Sequence, residues 1–286
     1  MTVRPRELSR SIASFPARTP TLPPATHTNS YALGARDVVL VEPATPYEDE
    51  QRAWIEWARA LPSSGRVPKA IVVTHHHVDH VGGVDVLSRE LGLPVWAHAE
   101  TASRIDAPVA RVLADGDSID LEGPVPERWR VLHTPGHAPG HVCLYDEAEG
   151  ALVVGDMVAS VGTILIAPGD GDMKVYLEQL ERLAALDARL ALPAHGEPID
   201  APSSLFRHYV AHRLMREAKV LAAVVGHGVD GATDDELLPD AYGDTPVTLW
   251  PIALLSLRAH LTKLEGEGRV RVDARSGERP RYIAGR

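Results

Sequence analysis

Cysteine is nearly absent: Cys143 stands alone, so no intrachain disulfide can form and nothing in the chain requires an oxidising compartment. No apolar run approaches the roughly 20 residues needed to cross a bilayer, which predicts no membrane association. The first 24 residues carry Arg4, Arg6, Arg10 and Arg18 but lack the apolar stretch of a secretory signal. Prolines at 5, 16, 20, 23 and 24 break the amphipathic helix that an organellar transit peptide would need, so this segment reads as an irregular arm and the cytoplasm as the expected compartment. Positive charge is also scarce. Four lysines and 25 arginines face 39 acidic residues, and the net charge of −10 disfavours nucleic acid as a partner.

What the chain does have is an ordinary globular composition, 44% hydrophobic and 24% charged over 286 residues. That length fits one large domain with a small one appended. Val38 to Val41, Ala70 to Val73, Pro94 to Ala97, Arg128 to Leu132, Val142 to Tyr145 and Ala151 to Val154 read as strands. Asp172 to Leu190 reads as an amphipathic helix. The mixture predicts sheets sandwiched between outer helices. Beyond Pro198 the pattern turns helical. Phe206, Val210, Leu214, Leu221 and Val225 form the apolar stripe of one long helix, and Thr233 to Glu236 is a capping box opening a second. Leu254, Leu257, Leu261 and Leu264 mark a third, and Arg269 to Asp273 and Arg279 to Ala284 flank a turn at Ser276-Gly277. Three helices and a hairpin are the layout of a winged helix. The expected domains are therefore 1–204, including the arm at 1–24, and 205–286. The first carries 17 basic and 28 acidic side chains and the second 12 and 11, so the acidity lies on the larger domain.

Histidine is in excess, at 14 residues, and the pattern of some of them carries chemistry. In Thr74-His75-His76-His77-Val78-Asp79-His80, which follows an apolar strand, His75 and His77 point the same way on an extended chain and can share a metal ion. Asp79 and His80 follow as the chain turns and can reach a second ion, with Gly82-Gly83 supplying freedom for the turn, while His76 faces away. Three further strand ends deliver His137, Asp156 and His195. A surface histidine run does not explain that recurrence, because buried polar groups without partners are costly.

These residues resemble the metallo-β-lactamase-fold hydrolases, whose motif H-x-H-x-D-H is followed by separated His, Asp and His. The resemblance implies an αββα four-layer sandwich of the α/β class from about Thr28 to Pro198, opened by a strand at Thr28-Asn29-Ser30-Tyr31. It implies two divalent metal ions, zinc before iron or manganese, held by His75, His77, His137 and by Asp79, His80, His195 with Asp156 between. The tail is similar to the winged-helix end of the lactamase β2-like group. Asp156 stands where secreted zinc β-lactamases have Cys, and His77 where flavodiiron proteins have Glu, which argues against both activities. Glu42-Pro43-Ala44 departs from the usual Asp-Thr-Gly and Ala194 from a common Gly, so the loop beside the metals is expected to differ.

The reaction the resemblance implies is hydrolysis. Water activated between two ions attacks a thioester or ester carbonyl, with Asp79 as the catalytic residue that orients it and accepts its proton. An acyl thioester, including one presented on a carrier protein, is the expected substrate. Endoribonuclease action on single-stranded RNA is the alternative, and a lactonase or a non-enzymatic regulator ranks lower. His133 and His141 are expected to be structural, His98 a loop residue, Cys143 core packing, His227 surface, and Lys263, Arg269 and Arg271 a solvated face.

Overall fold

The computed structural model describes residues 4–273 and 279–285. One sheet runs in chain order through β1 (Arg6–Glu7), β2 (Ile12–Arg18), β3 (His27–Leu33), β4 (Asp37–Val41), β5 (Val67–Val72), β6 (Val95–His98) and β7 (Val109–Leu113). It is antiparallel as far as β4 and parallel from β4 to β7. Its outer face is covered by α1 (Glu48–Ala60) and α3 (Val84–Leu91), with the short helices α2 (Val78–Val81) and α4 (Ala99–Ala102) at strand ends. The second sheet contains β8 (Ser118–Leu121), β9 (Glu127–His133), β10 (Val142–Asp146), β11 (Ala151–Gly155), β12 (Leu190–Pro193) and β13 (Ile199–Asp200), ordered 13-12-11-10-9-8. Helix α5 (Met173–Ala184) lies on its outer face, giving the αββα sandwich.

Period-two alternation sorts the strand residues between layers. Val39 and Val41 of β4 point between the sheets, toward the core that includes Trp129, Val131, Leu144 and Val153. Val38 and Leu40 point outward, into the cluster holding Trp54 and Trp57 of α1. In the second sheet Leu152 and Val154 turn outward to pack with Tyr176 and Leu180 of α5.

The C-terminal part consists of α6 (Ser203–Gly226), α7 (Asp234–Tyr242), α8 (Trp250–Gly266) and the antiparallel pair β14 (Val270–Asp273) and β15 (Arg281–Ala284). Its own core holds Val220, Val224, Leu237, Leu257, Leu261 and Leu264. The capping box forms at α7: Glu236 N–H donates to Thr233 Oγ1 at 3.3 Å, and Thr233 N–H donates to Glu236 Oε2 at 2.8 Å. The expected turn at Ser276-Gly277 lies outside the described residues.

Three expectations are corrected. The described part of the expected irregular arm, residues 4–24, supplies β1 and the buried strand β2. Pro16 is tolerated inside β2 because β1 pairs only as far as Ser14, so no strand asks Pro16 for an N–H on that side; Arg4 Nη1 donates instead to its carbonyl at 3.1 Å. The helix expected to run to Leu190 ends at Ala184. Asp172 caps it by accepting from Val175 N–H at 3.0 Å, and Leu190 pairs in parallel with Ala151 of β11. On α6 the apolar stripe is buried only in part: Phe206 is fully buried and Val210 and Leu221 pack against the cores, but Leu214 and Val225 are 46% and 56% exposed, while Arg213, Arg216 and Glu217 are buried. Hydrophobicity misled because this face buries charge together with its partners. Arg216 pairs with Asp244 at 2.8 Å, and Glu217 with Lys263 at 2.8 Å and Arg269 at 3.2 Å. Lys263 is therefore not a solvated side chain.

Trp54→Ala removes a fully buried indole stacked edge-on to Trp57. It is expected to cost about 3–5 kcal/mol, read as a lowered midpoint in urea unfolding. An unchanged midpoint would mean that α1 contributes nothing to the fold.

Candidate metal centre

Four chain segments meet at one edge of the sandwich. β5 ends at Val72, and the extended chain beyond it carries His75 and His77. His77 precedes the first residue of α2, so Asp79 and His80 sit in the first helical turn. The β9–β10 loop brings His137, the end of β11 brings Asp156, and the end of β12 leads to His195. Asn29 of β3 ties this edge together, its Nδ2 donating to Pro193 O at 3.0 Å and to Gly196 O at 2.8 Å. Gly82 and Gly83 do not provide an unusual turn, since both have negative φ. They allow contact instead: a Cβ would lie 2.9 Å from Pro46 at Gly82 and 2.7 Å from Thr45 O at Gly83. Gly155 does need its conformational freedom, with φ of 47°, and a Cβ there would fall 2.5 Å from His141 Nε2.

The seven residues expected from the sequence converge into one cluster. His75 Nε2 lies 3.1 Å from His77 Nδ1 and 3.2 Å from His137 Nε2, and the last two are 2.9 Å apart. Three imidazole nitrogens thus surround one point. Beside them, His195 Nε2 lies 3.5 Å from Asp79 Oδ2, and His80 Nε2 lies 3.8 Å from Asp79 Oδ1. Asp156 stands between the groups. Its Oδ2 is 3.4 Å from His137 Nε2, and its Oδ1 is 3.3 Å from His195 Nε2 and 3.6 Å from His80 Nε2.

Every imidazole turns its other nitrogen to an oxygen outside the cluster. His75 Nδ1 contacts Thr74 Oγ1 at 3.0 Å, His77 Nε2 contacts Asp170 Oδ2 at 2.6 Å and His80 Nδ1 contacts Glu42 Oε2 at 3.0 Å. His137 Nδ1 faces Leu165 O at 2.9 Å, and His195 Nδ1 faces His27 O at 3.0 Å. An imidazole whose outer N–H is engaged presents its inner lone pair, the arrangement that orients metal ligands. His80 Nε2 and Asp156 Oδ1 are buried with no hydrogen-bond partner. Such orphaned atoms are expensive unless a cation satisfies them, so the donor set fits divalent ions.

Electrostatics divides the cluster in two. Burial, reinforced by neighbouring imidazoles, holds His75 well below the usual histidine range, and burial brings His137 down to about 4 despite Asp156. Burial also works against charge on His80 and His195, yet the carboxylates outweigh it, led by Asp156 in both cases, and raise both. Asp156 itself stays well below the ordinary carboxylate range, because His195 and His80 overcome the cost of its burial. The half near Asp79 and Asp156 attracts positive charge, while the half near His75 offers neutral nitrogen.

The other histidines stand outside. His141 accepts the Asp156 N–H at 3.1 Å through Nε2 and contacts Thr134 Oγ1 at 2.8 Å, and so props the carboxylate loop. His76 Nε2 lies 3.2 Å from Asp170 Oδ2. His133 stacks on His98 with ring centroids 4.0 Å apart, and His98, rather than being a plain loop residue, ends β6 and caps α4 by accepting Glu100 N–H at 3.2 Å. His227 is half-buried beside Asp240 at 3.0 Å. Burial pushes the Cys143 thiol up to about 12, which leaves it as packing. Glu42 and Asp170 were not recognised in the sequence as partners of His80 and His77. Glu42 is 1% exposed, and its φ of 63° is uncommon for a residue other than glycine. Only the fold reveals that its side chain reaches His80 and Thr74 N–H.

Residues 23–195 match the family model described as the metallo-beta-lactamase superfamily. The chain belongs to that superfamily. Residues 233–278 match the beta-lactamase associated winged helix domain. A Beta-lactamase-like protein 2 homolog from Drosophila melanogaster is 30% identical over 262 residues, covering 88% of this chain and 86% of that protein. The atrochrysone carboxyl ACP thioesterase of Aspergillus fumigatus is 28% identical over 232 residues, or 77% of this chain and 69% of its own. Among solved structures, a metallo-beta-lactamase family protein from Thermus thermophilus aligns with a TM-score of 0.78 at 28% identity, over 97% of this chain and 100% of that one. Superfamily membership makes the cluster the candidate centre of a metal-dependent hydrolase.

Replacing Glu42 with Gln should weaken metal binding about 10- to 100-fold, the usual cost of losing an outer partner, as measured by chelator competition. His133→Ala should leave the affinity unchanged. Equal affinities in the wild type and Glu42→Gln would remove Glu42 from the support of the site.

Proposed function

We propose that the protein is a dinuclear hydrolase of acyl thioesters. The observation that carries this reading is the wall of the cleft of about 360 Å³ over the cluster. Leu22, Pro23, Val161, Ile164 and Leu165 line it, and among the described residues no lysine or arginine does. A polyanionic strand would meet apolar surface and the carboxylates of Asp79, Asp156 and Asp170 there. An uncharged carbonyl substrate meets no such penalty. Of Lys263, Arg269 and Arg271, the tail cations that could contact nucleic acid, the first two are paired with Glu217 and Glu267, and Arg271 is exposed. The similarity to a protein named as an ACP thioesterase supports the same substrate class and a carrier-borne acyl group.

In this reading His75, His77 and His137 would hold one ion and Asp79, His80 and His195 the other, with Asp156 standing between the two groups. Zinc suits the mixed nitrogen and oxygen set, ahead of iron or manganese. Bound ions would supply Lewis acidity and a water acidic enough to react near neutral pH. Asp79 sits at the cleft face of the cluster, where its carboxylate orients the attacking water and takes up its proton. His77, fixed by Asp170, and His195, fixed by His27 O, keep the site's geometry as charge develops at the carbonyl oxygen. The apolar walls exclude bulk water and so strengthen that electrostatic stabilisation. A thiol departs with a pKa near 8.5, so the leaving group needs no strong acid from the cleft.

Elemental analysis of protein reconstituted with zinc should find about two ions per chain, and fewer than one would defeat the dinuclear assignment. The reconstituted protein should hydrolyse an acyl-thioester panel and leave a single-stranded RNA intact, and Asp79→Ala should lower turnover by about 10²–10⁴-fold with circular dichroism unchanged. RNA cleavage that falls steeply with salt, with no thioester turnover, would replace this reading by a ribonuclease.

A further inference from the structure

A second cavity of about 380 Å³ adjoins the cleft over the cluster. Leu22, Pro23, Pro24 and the Gly162–Leu165 stretch line both cavities, so they share a wall. The far side of the second cavity belongs to the C-terminal helices, with Arg213 and Arg216 from α6 and Leu249, Ile252, Ala253 and Ser256 at the start of α8 and just before it. We propose that this slot seats the acyl chain of the substrate while the thioester carbonyl lies at the cluster. The proposal rests on the thioesterase reading and adds where, and by what chemistry, the substrate is selected.

The two arginines do not make the slot an anion site. Arg213 donates to Ile164 O and lies 3.4 Å from Thr163 Oγ1. Arg216 donates to Ala241 O at 2.5 Å, pairs with Asp244 at 2.8 Å and lies over the Tyr242 ring at 4.4 Å. Arg216 is occupied at the end of α7 and Arg213 holds the loop over the cluster through Nη2, while Arg213 Nε has no hydrogen-bond partner; both residues are buried. Burial and neighbouring arginines lower the His212 pKa, so that ring is neutral near pH 7. The remaining lining is dominated by leucine, isoleucine, proline and alanine. A thioester has one apolar half and one half that, on a carrier arm, bears amides. Methylenes gain by leaving water against that apolar lining. The acyl half is the half that fits.

The slot also explains why a hydrolase carries the C-terminal helices at all: they supply half of the chain-binding surface. Arg213 couples the two parts directly, because its hydrogen bond to Ile164 O joins α6 to the loop lining both cavities.

The test uses the full-length zinc-reconstituted protein and N-acetylcysteamine thioesters with acyl chains of 2 to 12 carbons. In the wild type, kcat/KM should rise about fourfold for each methylene that enters the slot and level off once it is full. Ala253→Phe narrows the slot and Leu249→Glu puts a carboxylate at its rim, at a position already 43% exposed where misfolding is not expected. Each should lower kcat/KM for the dodecanoyl thioester at least tenfold, change the acetyl thioester less than twofold, and leave metal content unchanged. Titration calorimetry with dodecanoate should show a matching loss of binding. A flat chain-length profile in the wild type, or equal losses for short and long chains in Leu249→Glu, overturns the slot while leaving the thioesterase reading intact. Absence of turnover on every thioester overturns that reading and the slot with it.

Discussion

The cluster depends on a constraint of hydrogen bonding: each of five imidazoles must direct a lone pair to a common centre, and it can do so only when its other nitrogen is held. Thr74, Asp170, Glu42, Leu165 O and His27 O do the holding. Those five oxygens come from different segments of the chain. The two sheets therefore have to meet at a fixed separation and register, which Asn29 enforces by bridging β3 to the Pro193 and Gly196 carbonyls. Tyr31, one pleat further on, donates to Pro193 O at 2.7 Å and repeats the link from within the inter-sheet core.

A second requirement follows from burial. Asp156, His80 and Glu42 are withdrawn from water at a point where, among the described residues, no arginine or lysine side chain accompanies them. Elsewhere this protein neutralises buried charge internally: Glu217 meets Lys263 and Arg269, and Arg216 meets Asp244. At the cluster the orphaned His80 Nε2 and Asp156 Oδ1 fit divalent ions as the balancing charge. The contrast separates a structural charge network from a binding one within a single chain.

Much of this was legible in the sequence because the chemistry is written in local order. The run from His75 to His80 occupies one strand end and one helical turn, so its spacing alone indicates which side chains can converge. Strand-to-ligand punctuation at Gly155-Asp156 and Pro193-Ala194-His195 extended the pattern to the second sheet. The parts that escaped are non-local. Glu42 reaches His80 across 38 residues and Asp170 reaches His77 across 93, and no periodicity encodes either contact. Strand β2 was hidden by prolines that read as breakers, although one of them lies where the neighbouring strand has ended. On α6 the apolar pattern captured only part of the buried face, because Arg213, Arg216 and Glu217 are buried there together with their partners. Hydrophobic periodicity cannot register a face whose burial is electrostatically compensated.

That misread face bears on function. A helix with an all-apolar inner side could pack against the sandwich, but it could not grip a loop by its carbonyls. Arg213 does so at Ile164, and Ile164 belongs to the stretch that roofs the cluster and walls the neighbouring slot. The cost of burying the guanidinium is offset by hydrogen bonds it makes to that loop and by the Tyr176 ring 5.8 Å away. Arg213 is thus used internally, at the loop that forms an apolar wall. Charge in the sequence and charge available to a ligand are different quantities here.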